Sequence, residues 1–220
     1  MFEVSRAYLP RHDAGPEALP EEREYIGGAL TGVELDRWGR PGDRAFDFFD
    51  AKGVLESVAD ELAVDIDYVA GEEFALLTGR TAHLELSGAR VGVVGEVHPE
   101  ALAQFGIEQP VVLFEVDVSA LLAQSGARRV VASVSRFPAV EQDLALVLDV
   151  GVPAVRVQRI LESSALVASA RVFDVYRGAS IGEGKKSVAI EVTIQPRGSA
   201  MTDEQIEAVA DPKRWRQANL

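Results

Sequence analysis

The stretch Lys186-Ser-Val-Ala-Ile-Glu-Val-Thr-Ile-Gln195 decides the fold of the second half of the chain. Apolar side chains stand at every second position, which is the period of a β-strand that buries one face. The glycine-rich residues 178–184 lie just before this strand and predict a turn. The apolar segment Leu166–Tyr176 before the turn predicts a second strand, which the turn connects to the strand of residues 186–195. The apolar residues of the deciding strand are Val188, Ile190, Val192 and Ile194.

A third strand and two helices complete the pattern of this half. Asp143–Asp149 predicts a strand, and Pro153–Ser163 predicts a helix with proline in its first turn. Beyond the deciding strand, Thr202 and Gln205 form a Thr-x-x-Gln capping box, which predicts a final helix. The resulting order, β-α-β-β-α, is that of a ferredoxin-like unit without its last strand. The residues of the first helix predicted to face the core, spaced i, i+3 and i+4, are Val157, Ile160 and Leu161.

The first half predicts an antiparallel sheet. Phe2–Leu9 and residues 24–32 predict two strands that a proline-rich loop connects. Asp65–Ala70 predicts a short strand, residues 81–97 predict a hairpin, and Val111–Val118 predicts an apolar strand. With the second half, this pattern gives an α+β fold in two domains.

Three helices are predicted between these strands. Asp50 is a candidate N-cap for a helix that ends near Leu62. Pro99 and Gly106 suit the start and the end of a short helix, and Ser119 is a candidate cap for a further helical turn. The residues of the first helix predicted to face the core are Val54, Leu55, Val58 and Leu62.

Composition excludes several classes of protein. The 220 residues are 47% hydrophobic and 26% charged, which is typical of a soluble globular protein. The absence of cysteine excludes disulfides, thiolate zinc sites and cysteine nucleophiles. No apolar run reaches the roughly 20 residues that span a bilayer, and no secretory signal is visible at the N-terminus. We therefore expect a cytoplasmic protein.

The charge is divided unevenly along the chain. Residues 1–127 carry 9 Lys and Arg against 24 Asp and Glu, a net charge of −15. Residues 128–220 carry 13 basic against 11 acidic residues, a net charge of +2. Because phosphate contacts need Lys and Arg, any RNA contact is expected in the second half. The acidic first half is expected to face a protein partner or simply to keep the chain soluble.

Motifs of catalysis and metal binding are not found. The glycine-rich residues 178–187 fail the phosphate-loop pattern, because Ala179 stands where glycine is needed and Lys186 where Ser or Thr is needed. The three histidines are far apart in sequence, and no G-x-S-x-G nucleophile elbow is present. The acidic residues between Asp43 and Asp67 have no sharp spacing, so a solvated face is the preferred interpretation. We predict no catalytic residue and no metal ligand.

Basic residues at the ends of the predicted strands are the candidate RNA contacts. Arg136 and Phe137 precede the first strand of the second half, Arg177 ends the second strand, and Lys185 and Lys186 open the third. Cations beside an aromatic ring suit backbone phosphates and an unstacked base. We predict that these residues form a single RNA-facing edge of the sheet, although ordinary solvated turns would give the same pattern.

Several segments also carry a likeness to a known family. They are Phe2–Leu9, Asp47–Gly53, Gly79–Ala82, Gly92–Pro99, Phe114–Asp117, Arg136–Val140, Asp143–Val147, Phe173–Gly178 and Gly182–Ser187. In this order and spacing they resemble the beta subunit of bacterial phenylalanine–tRNA ligase.

The resemblance implies a fold and a role for each part. Residues 1–126 would form a class II synthetase-like module without an active site, which contacts the alpha subunit in an α2β2 assembly. Residues 127–220 would form a ferredoxin-fold anticodon-binding domain that contacts tRNA(Phe). The whole would be a non-catalytic tRNA-binding and scaffolding piece of an enzyme that uses ATP and Mg²⁺, neither of which this piece would bind. No membrane partner is implied.

The chain also departs from the family pattern. By this resemblance, we expect the family's large N-terminal part to be missing and its last helix and closing strand to be replaced after about Ala210. The predicted anticodon-binding domain would then be incomplete. Two other functions stay open at this point: a protein-interaction module, and a ferredoxin-like domain that senses an amino acid without binding RNA.

Overall fold

The computed structural model describes residues 1–11, 15, 18–126, 136–195 and 209. Contacts divide the chain into two compact units, Met1–Val130 and Val131–Leu220. The division falls within residues 127–135, which lie outside the described residues, so the boundary between residues 126 and 127 stays a prediction. Each unit has its own buried core and is described by itself.

The described part of the first unit contains eight strands and three helices. They are β1 (Phe2–Leu9), β2 (Glu21–Thr31), β3 (Val33–Leu35), β4 (Pro41–Ala45), α1 (Phe48–Leu62), β5 (Asp67–Ala70), β6 (Leu76–Leu86), β7 (Ala89–Val97), α2 (Pro99–Gln104), β8 (Val111–Asp117) and α3 (Val118–Gln124). Six strands form one antiparallel sheet in the order β1-β2-β8-β7-β6-β5, and β3 pairs with β4 apart from it. The predicted antiparallel sheet is confirmed. The first hairpin strand begins earlier than predicted, because a register shift between Leu76 and Thr81 interrupts its alternation.

Helix α1 covers one face of this sheet. Its buried residues are Ala51, Leu55 and Ala59, spaced by four, and none is more than 6% exposed. The prediction that Val54 faces the core is wrong, since Val54 is 43% exposed. Two alanines point at the sheet instead, and their small side chains let the helix lie close to the strands. The acidic residues predicted on the solvated side of the helix, all exposed, are Glu56, Asp60 and Glu61.

The N-caps predicted for α1 and α3 are both wrong. Asp47, rather than Asp50, caps α1, and its side chain accepts a hydrogen bond from the Phe49 amide at 2.8 Å. Asp50 is the third residue of the helix, and its carboxylate accepts from the Asp47 amide at 2.8 Å to close a capping box. In α3, Asp117 caps the helix by accepting from the Ala120 amide at 3.0 Å, whereas Ser119 lies inside the helix. Each true cap lies at the end of the preceding extended segment, two or three residues before the predicted one.

We expect Asp117→Ala to lower the free energy of unfolding of the first unit by about 0.5–2 kcal/mol, the usual cost of removing an N-cap. Asp117 is only 8% exposed, so water has little access to the backbone amides that lose the carboxylate as a hydrogen-bond acceptor. Ser119→Ala is the matched control and should be close to neutral, because alanine suits a helix interior. Urea unfolding of the two variants measures the difference. A larger loss of unfolding free energy in Ser119→Ala than in Asp117→Ala would contradict the assignment of Asp117 as the N-cap.

Glycines allow close approaches inside the first sheet. A Cβ at Gly28 would lie 2.2 Å from Cζ of Phe114, so the ring occupies the space above this glycine. A Cβ at Gly92 would lie 2.3 Å from the Glu115 carbonyl oxygen on the neighbouring strand. Gly92, on β7, is therefore required by the pairing of β7 with β8.

The second unit has the order β-α-β-β that the sequence predicts. Its described elements are β9 (Val140–Asp149), α4 (Ala154–Glu162), β10 (Val167–Tyr176), a one-turn 3₁₀ helix (Ala179–Ile181) and β11 (Lys185–Ile194). The sheet is antiparallel in the order β10-β11-β9, with the deciding strand in the centre. Both the α+β class and the ferredoxin-like order of these elements are confirmed.

The core of the second unit lies between its sheet and α4. Val157 and Leu161 of α4 are fully buried, and Ile160 packs against the same cluster, as predicted. Val209 is helical and fully buried in this core. The rest of the helix predicted from Thr202, and the predicted loss of a last strand, lie outside the described residues. The apolar residues of β11, each with 0% exposure, are Val188, Ile190, Val192 and Ile194.

Candidate nucleic-acid interface

Within the described residues of the second unit, α4 covers one face of the sheet and no element covers the other, which we call the open face. Directly opposed residues of antiparallel strands share a face, so the register assigns each side chain. Val188 lies opposite Leu146 on the face under α4, whereas Ser187 lies opposite Val147 on the open face. The strand alternation of buried and accessible residues along β9 and β11 agrees with this assignment.

The predicted RNA-binding residues lie at two opposite ends of the sheet. Lys185 opens β11 and pairs with Asp149 at the end of β9. Phe137 lies near the other end, where its carbonyl accepts a hydrogen bond from Nε2 of Gln195 at 2.8 Å. Because β11 has ten residues, its ends are about 30 Å apart.

The prediction of one RNA-facing edge is therefore wrong. Arg136 and Phe137 precede the start of β9, and β11 runs antiparallel to β9, so the first residues of β11 lie beside the end of β9. Arg177, Lys185 and Lys186 share one end, which we call the basic end. Whether any of the five residues binds RNA stays a prediction.

The three cations of the basic end do not share a face. Lys185 lies on the open face, where its Nζ is 2.6 Å from Oδ1 of Asp149. Lys186 follows the burial pattern of Val188 under α4 and is only 7% exposed. Burial first, and then the nearby charge of Arg177, lower the pKa of Lys186 below its ordinary value.

The open face at the basic end carries an exposed aromatic platform. Tyr176 is 50% exposed and lies opposite Ser187, which in turn lies opposite Val147. In the next row, Ala189 lies between Asp174 and a second alanine, so small side chains leave room beside the ring. An exposed aromatic ring beside small side chains is suited to stacking a nucleobase. The Asp174 carboxylate of the same strand also lies on this face.

A glycine fixes the position of the Tyr176 ring. A Cβ at Gly178 would lie 2.2 Å from the Tyr176 hydroxyl oxygen, so the ring lies against the backbone of the following turn. The Ser180 hydroxyl donates to the same oxygen at 3.4 Å. The ring is thus held at the basic end, next to Arg177.

The far end of the open face is acidic. Glu141 and Asp143 of β9 are exposed there, and Asp143 lies opposite Glu191 of β11. Arg171 neutralises part of this charge through an ion pair with Glu191 at 2.8 Å. The open face therefore carries acidic side chains at this end, whereas its other end carries Lys185 together with Asp149 and Asp174.

Sequence analysis missed Tyr176 as a site residue. Two register shifts in β10, between Val167 and Ser169 and between Val172 and Asp174, change the face to which later residues belong. An alternation counted strictly in twos from Val167 therefore assigns Tyr176 to the correct face of the sheet only because the two shifts cancel. The detectable signal is the position of an aromatic residue directly before a basic residue and a glycine turn.

Within the described residues of either unit, no three His, Cys, Asp or Glu side chains lie close enough together to hold a metal ion. Two histidines of the first unit have local hydrogen bonds instead. His98 Nδ1 accepts from the Glu100 amide at 3.2 Å as the N-cap of α2, and His83 Nε2 lies 3.1 Å from the Glu72 carbonyl oxygen. No helix in the described part of the chain has the length and apolar character needed to cross a membrane.

Comparisons with family models define the class of protein. The model described as "Phenylalanyl tRNA synthetase beta chain CLM domain" matches residues 1–118, and "Ferredoxin-fold anticodon binding domain" matches residues 135–213. These matches place the chain among the subunits of aminoacyl-tRNA synthetases. The chain belongs to the phenylalanine–tRNA ligase beta subunit family.

Curated relatives agree with this family. The phenylalanine–tRNA ligase beta subunit of Dehalococcoides mccartyi strain CBDB1 is 36% identical over 210 residues, which cover 95% of this chain and 25% of the relative. The beta subunit of Syntrophotalea carbinolica is 35% identical over 216 residues, 96% of this chain and 26% of the relative. The beta subunit of Bacillus subtilis is 33% identical over 210 residues, which cover 94% of this chain and 26% of the relative. The chain thus spans about a quarter of the length of the relatives it matches.

Proposed function

We propose that this chain is a non-catalytic, tRNA-binding and scaffolding part of phenylalanine–tRNA ligase. Its second unit would bind RNA at the basic end of the open sheet face. The observation that carries the proposal is Tyr176, an exposed ring among small side chains with Arg177 next to it in sequence. Aromatic stacking supplies base contact, and the cations supply phosphate contact.

The ion pair between Lys185 and Asp149 does not prevent a phosphate contact. The two side chains are 44% and 70% exposed, and exposed pairs of this kind contribute little to stability. A phosphate could therefore compete with Asp149 for Lys185 at small cost. Arg136 and Phe137, about 30 Å away, would be a separate contact if they meet the same RNA.

The first unit would support the assembly and would not perform chemistry. Within its described residues, no three His, Cys, Asp or Glu side chains are placed to hold a metal ion. ATP and Mg²⁺ would be bound elsewhere in the intact enzyme, in the cytoplasm. Exposed phenylalanines, of which Phe74 at 92% is the most exposed, support contact with a partner chain such as the alpha subunit.

We expect Tyr176→Ala to weaken binding of a tRNA(Phe) transcript by about 5- to 150-fold, the equivalent of about 1–3 kcal/mol for one lost stacking contact. Tyr176→Phe is the matched control, because it keeps the ring and should retain most of the affinity. Filter binding or fluorescence anisotropy measures both. Equal affinity of wild type and Tyr176→Ala, with the fold intact by NMR, would contradict the proposed platform.

A salt titration separates RNA binding from a pure protein-interaction role. Phosphate contacts by Arg177 and Lys185 should make the logarithm of the binding constant fall linearly with the logarithm of the salt concentration. Isothermal titration with phenylalanine tests the amino-acid-sensing alternative. Heat of binding with phenylalanine, combined with no salt-dependent RNA affinity, would favour that alternative over the proposal.

A further inference from the structure

Strand β1 lies at one edge of the six-stranded sheet of the first unit, and among the described residues only β2 pairs with it. The two strands are paired without a bulge from Phe2 to Leu9. Natural sheets usually protect an edge by making it short, bulged, covered or interrupted by proline. The opposite edge is protected in this way, because β5 has only four residues. Within the described part of the unit β1 has none of these devices, so its backbone is open to a further strand.

The hydrogen bonds of Met1 show which backbone groups of β1 point away from β2. The N-terminal amine of Met1 donates to the Ala29 carbonyl at 3.0 Å, and the Ala29 amide donates to the Met1 carbonyl at 2.9 Å. Met1 and Ala29 therefore form a hydrogen-bonded pair, and such pairs alternate along an antiparallel ladder. The odd-numbered residues of β1 thus bond to β2, whereas the even-numbered residues turn their N–H and C=O groups outward. The outward-facing residues are Phe2, Val4, Arg6 and Tyr8.

The side chains of these four residues lie on one face of the sheet and form an exposed row. Val4 lies opposite Ile26, which packs against the core under α1, so the row is on the face that α1 covers farther from the edge. Phe2 is 76% exposed and Tyr8 is 62% exposed. Arg6, between them, forms an ion pair with a glutamate of β2 at 2.8 Å. Outward backbone groups beside exposed aromatic rings are suited to the addition of a strand.

We propose that β1 pairs antiparallel with β1 of a second copy of this chain, about a two-fold axis at Ser5. In this register Phe2 lies opposite Tyr8 of the second copy, and Val4 lies opposite Arg6 of the second copy. All the outward N–H and C=O groups of both strands are then hydrogen-bonded, and Phe2 and Tyr8 form cross-strand aromatic pairs. The two six-stranded sheets would join into one continuous sheet.

Charge and geometry select this register over its neighbours. Opposed residues of antiparallel strands share a face, so the pairing slips only in steps that keep side chains on their own face. A slip in one direction places Arg6 opposite Arg6 of the second copy, and like charges directly opposite each other repel. A slip in the other direction leaves Tyr8 without a partner. In the proposed register Glu3 lies opposite Ala7, so no like charges are opposed. This self-complementarity makes a second copy the occupant of the edge.

A single introduced cysteine reports on the two-fold axis, because the chain contains no cysteine. In the proposed register the Cα atoms of the two Ser5 residues are about 4.5 Å apart, at a non-hydrogen-bonded position, which is within disulfide range. Ser5→Cys in the full chain should therefore form a disulfide-linked dimer under mild oxidation, as measured by non-reducing electrophoresis. Ala7→Cys is the matched control on the same face of the strand. Its Cα atoms would be about 13 Å apart, so it should cross-link about tenfold more slowly or less.

Sedimentation equilibrium over a concentration series measures the dimer without a cross-link. The first unit is acidic, but about 0.15 M salt screens repulsion beyond roughly 8 Å, so a weak dimer is expected under these conditions. Val4→Pro removes an outward N–H that β1 does not use to pair with β2, as proline at a sheet edge allows. It should weaken the dimer by about 5- to 150-fold, since one hydrogen bond is lost from each strand. NMR signals of β2 and β8 show whether the sheet remains folded.

A pair of charge variants tests the register if Val4→Pro folds poorly. Val4→Glu places a carboxylate opposite Arg6 of the second copy, whereas Val4→Lys places a like charge there. The Val4→Glu dimer should be about 2- to 30-fold tighter than the Val4→Lys dimer, because each contact occurs twice. Simple repulsion between two acidic units gives the opposite order, since Val4→Lys lowers the net negative charge.

Several outcomes overturn the proposal. One is a chain that stays monomeric at every concentration, which is also the result expected if β1 pairs only with a strand of a different protein. Equally fast cross-linking of Ser5→Cys and Ala7→Cys is another, and so is a dimer that Val4→Pro leaves unchanged. A Val4→Lys dimer tighter than the Val4→Glu dimer would overturn the register and the proposal with it. None of these measurements involves RNA, so the proposed function stands or fails separately.

Discussion

Ile190→Ala should lower the free energy of unfolding of the second unit by about 2–5 kcal/mol. Ile190 has 0% exposure at the middle of the central strand, with Leu144 opposite on one side and Val172 on the other. It belongs to the same core cluster as Val157 of α4. Truncation therefore leaves a cavity where the sheet, the helix and both neighbouring strands meet, and few of these groups can move to fill it.

The measurement is a urea titration followed by NMR signals from β9 and β10, which report on the second unit alone. Ile190→Val is the matched control, because it removes one methylene and should cost about 0.5–1.5 kcal/mol. Signals of the first unit should keep their midpoint in both variants. A loss in Ile190→Ala no greater than that in Ile190→Val would mean that Ile190 is not at the centre of the core.

Gly92→Ala should destabilise the first unit by about 1–3 kcal/mol, because the added methyl group overpacks the sheet. The new Cβ would lie 2.3 Å from the Glu115 carbonyl oxygen and 3.0 Å from Cα of Val116. Both are backbone atoms of β8, which is paired on both sides in the sheet, so neither can withdraw as a flexible side chain could. Relief requires the separation of β7 from β8.

Gly53→Ala is the control for this prediction. Gly53 lies inside α1, and nothing lies within 4 Å of the position that its Cβ would occupy. Alanine there should raise the stability by about 0.5–1 kcal/mol, since glycine loses more conformational freedom in a helix. Urea titration by NMR signals of β6 and β7 compares the two. Destabilisation by both variants to the same degree would contradict the role of the β7–β8 approach.

Strands β9 and β11 of the second unit were predictable because their apolar period is undisturbed. In β11, polar residues alternate with buried ones along the whole length, and the deciding stretch indicated both the strand and its buried face. Helix α4 was predictable for the same reason, since Val157 and Leu161 mark its core side. The first unit was predicted less well where bulges intervene, as in the early residues of β6. Helix caps were misplaced because several acidic or hydroxyl residues are adjacent, and only the backbone geometry selects Asp47 and Asp117.

The candidate site was predicted only in part. The residue types identified the cations, and their positions near turns placed them at strand ends. Neither observation indicates which strand ends lie next to each other in the sheet. The antiparallel pairing of β9 with β11 separates Phe137 from Lys185, and this pairing is a tertiary fact. The alternation of faces separates Lys185 from Lys186, although they are neighbours in sequence. Two adjacent lysines that are equivalent in the sequence thus have different surroundings: Lys185 is exposed, whereas Lys186 lies on the face under α4 and is 7% exposed.

The acidic far end of the open face bears on the direction in which a strand of RNA can lie. Glu141, Asp143 and Glu191 would repel a phosphate backbone that settled along the full length of β9 and β11, despite the compensating Arg171. If RNA binds as proposed, the acidic half of the face would repel its phosphate backbone, so the bound strand would not follow β9 and β11 along their full length.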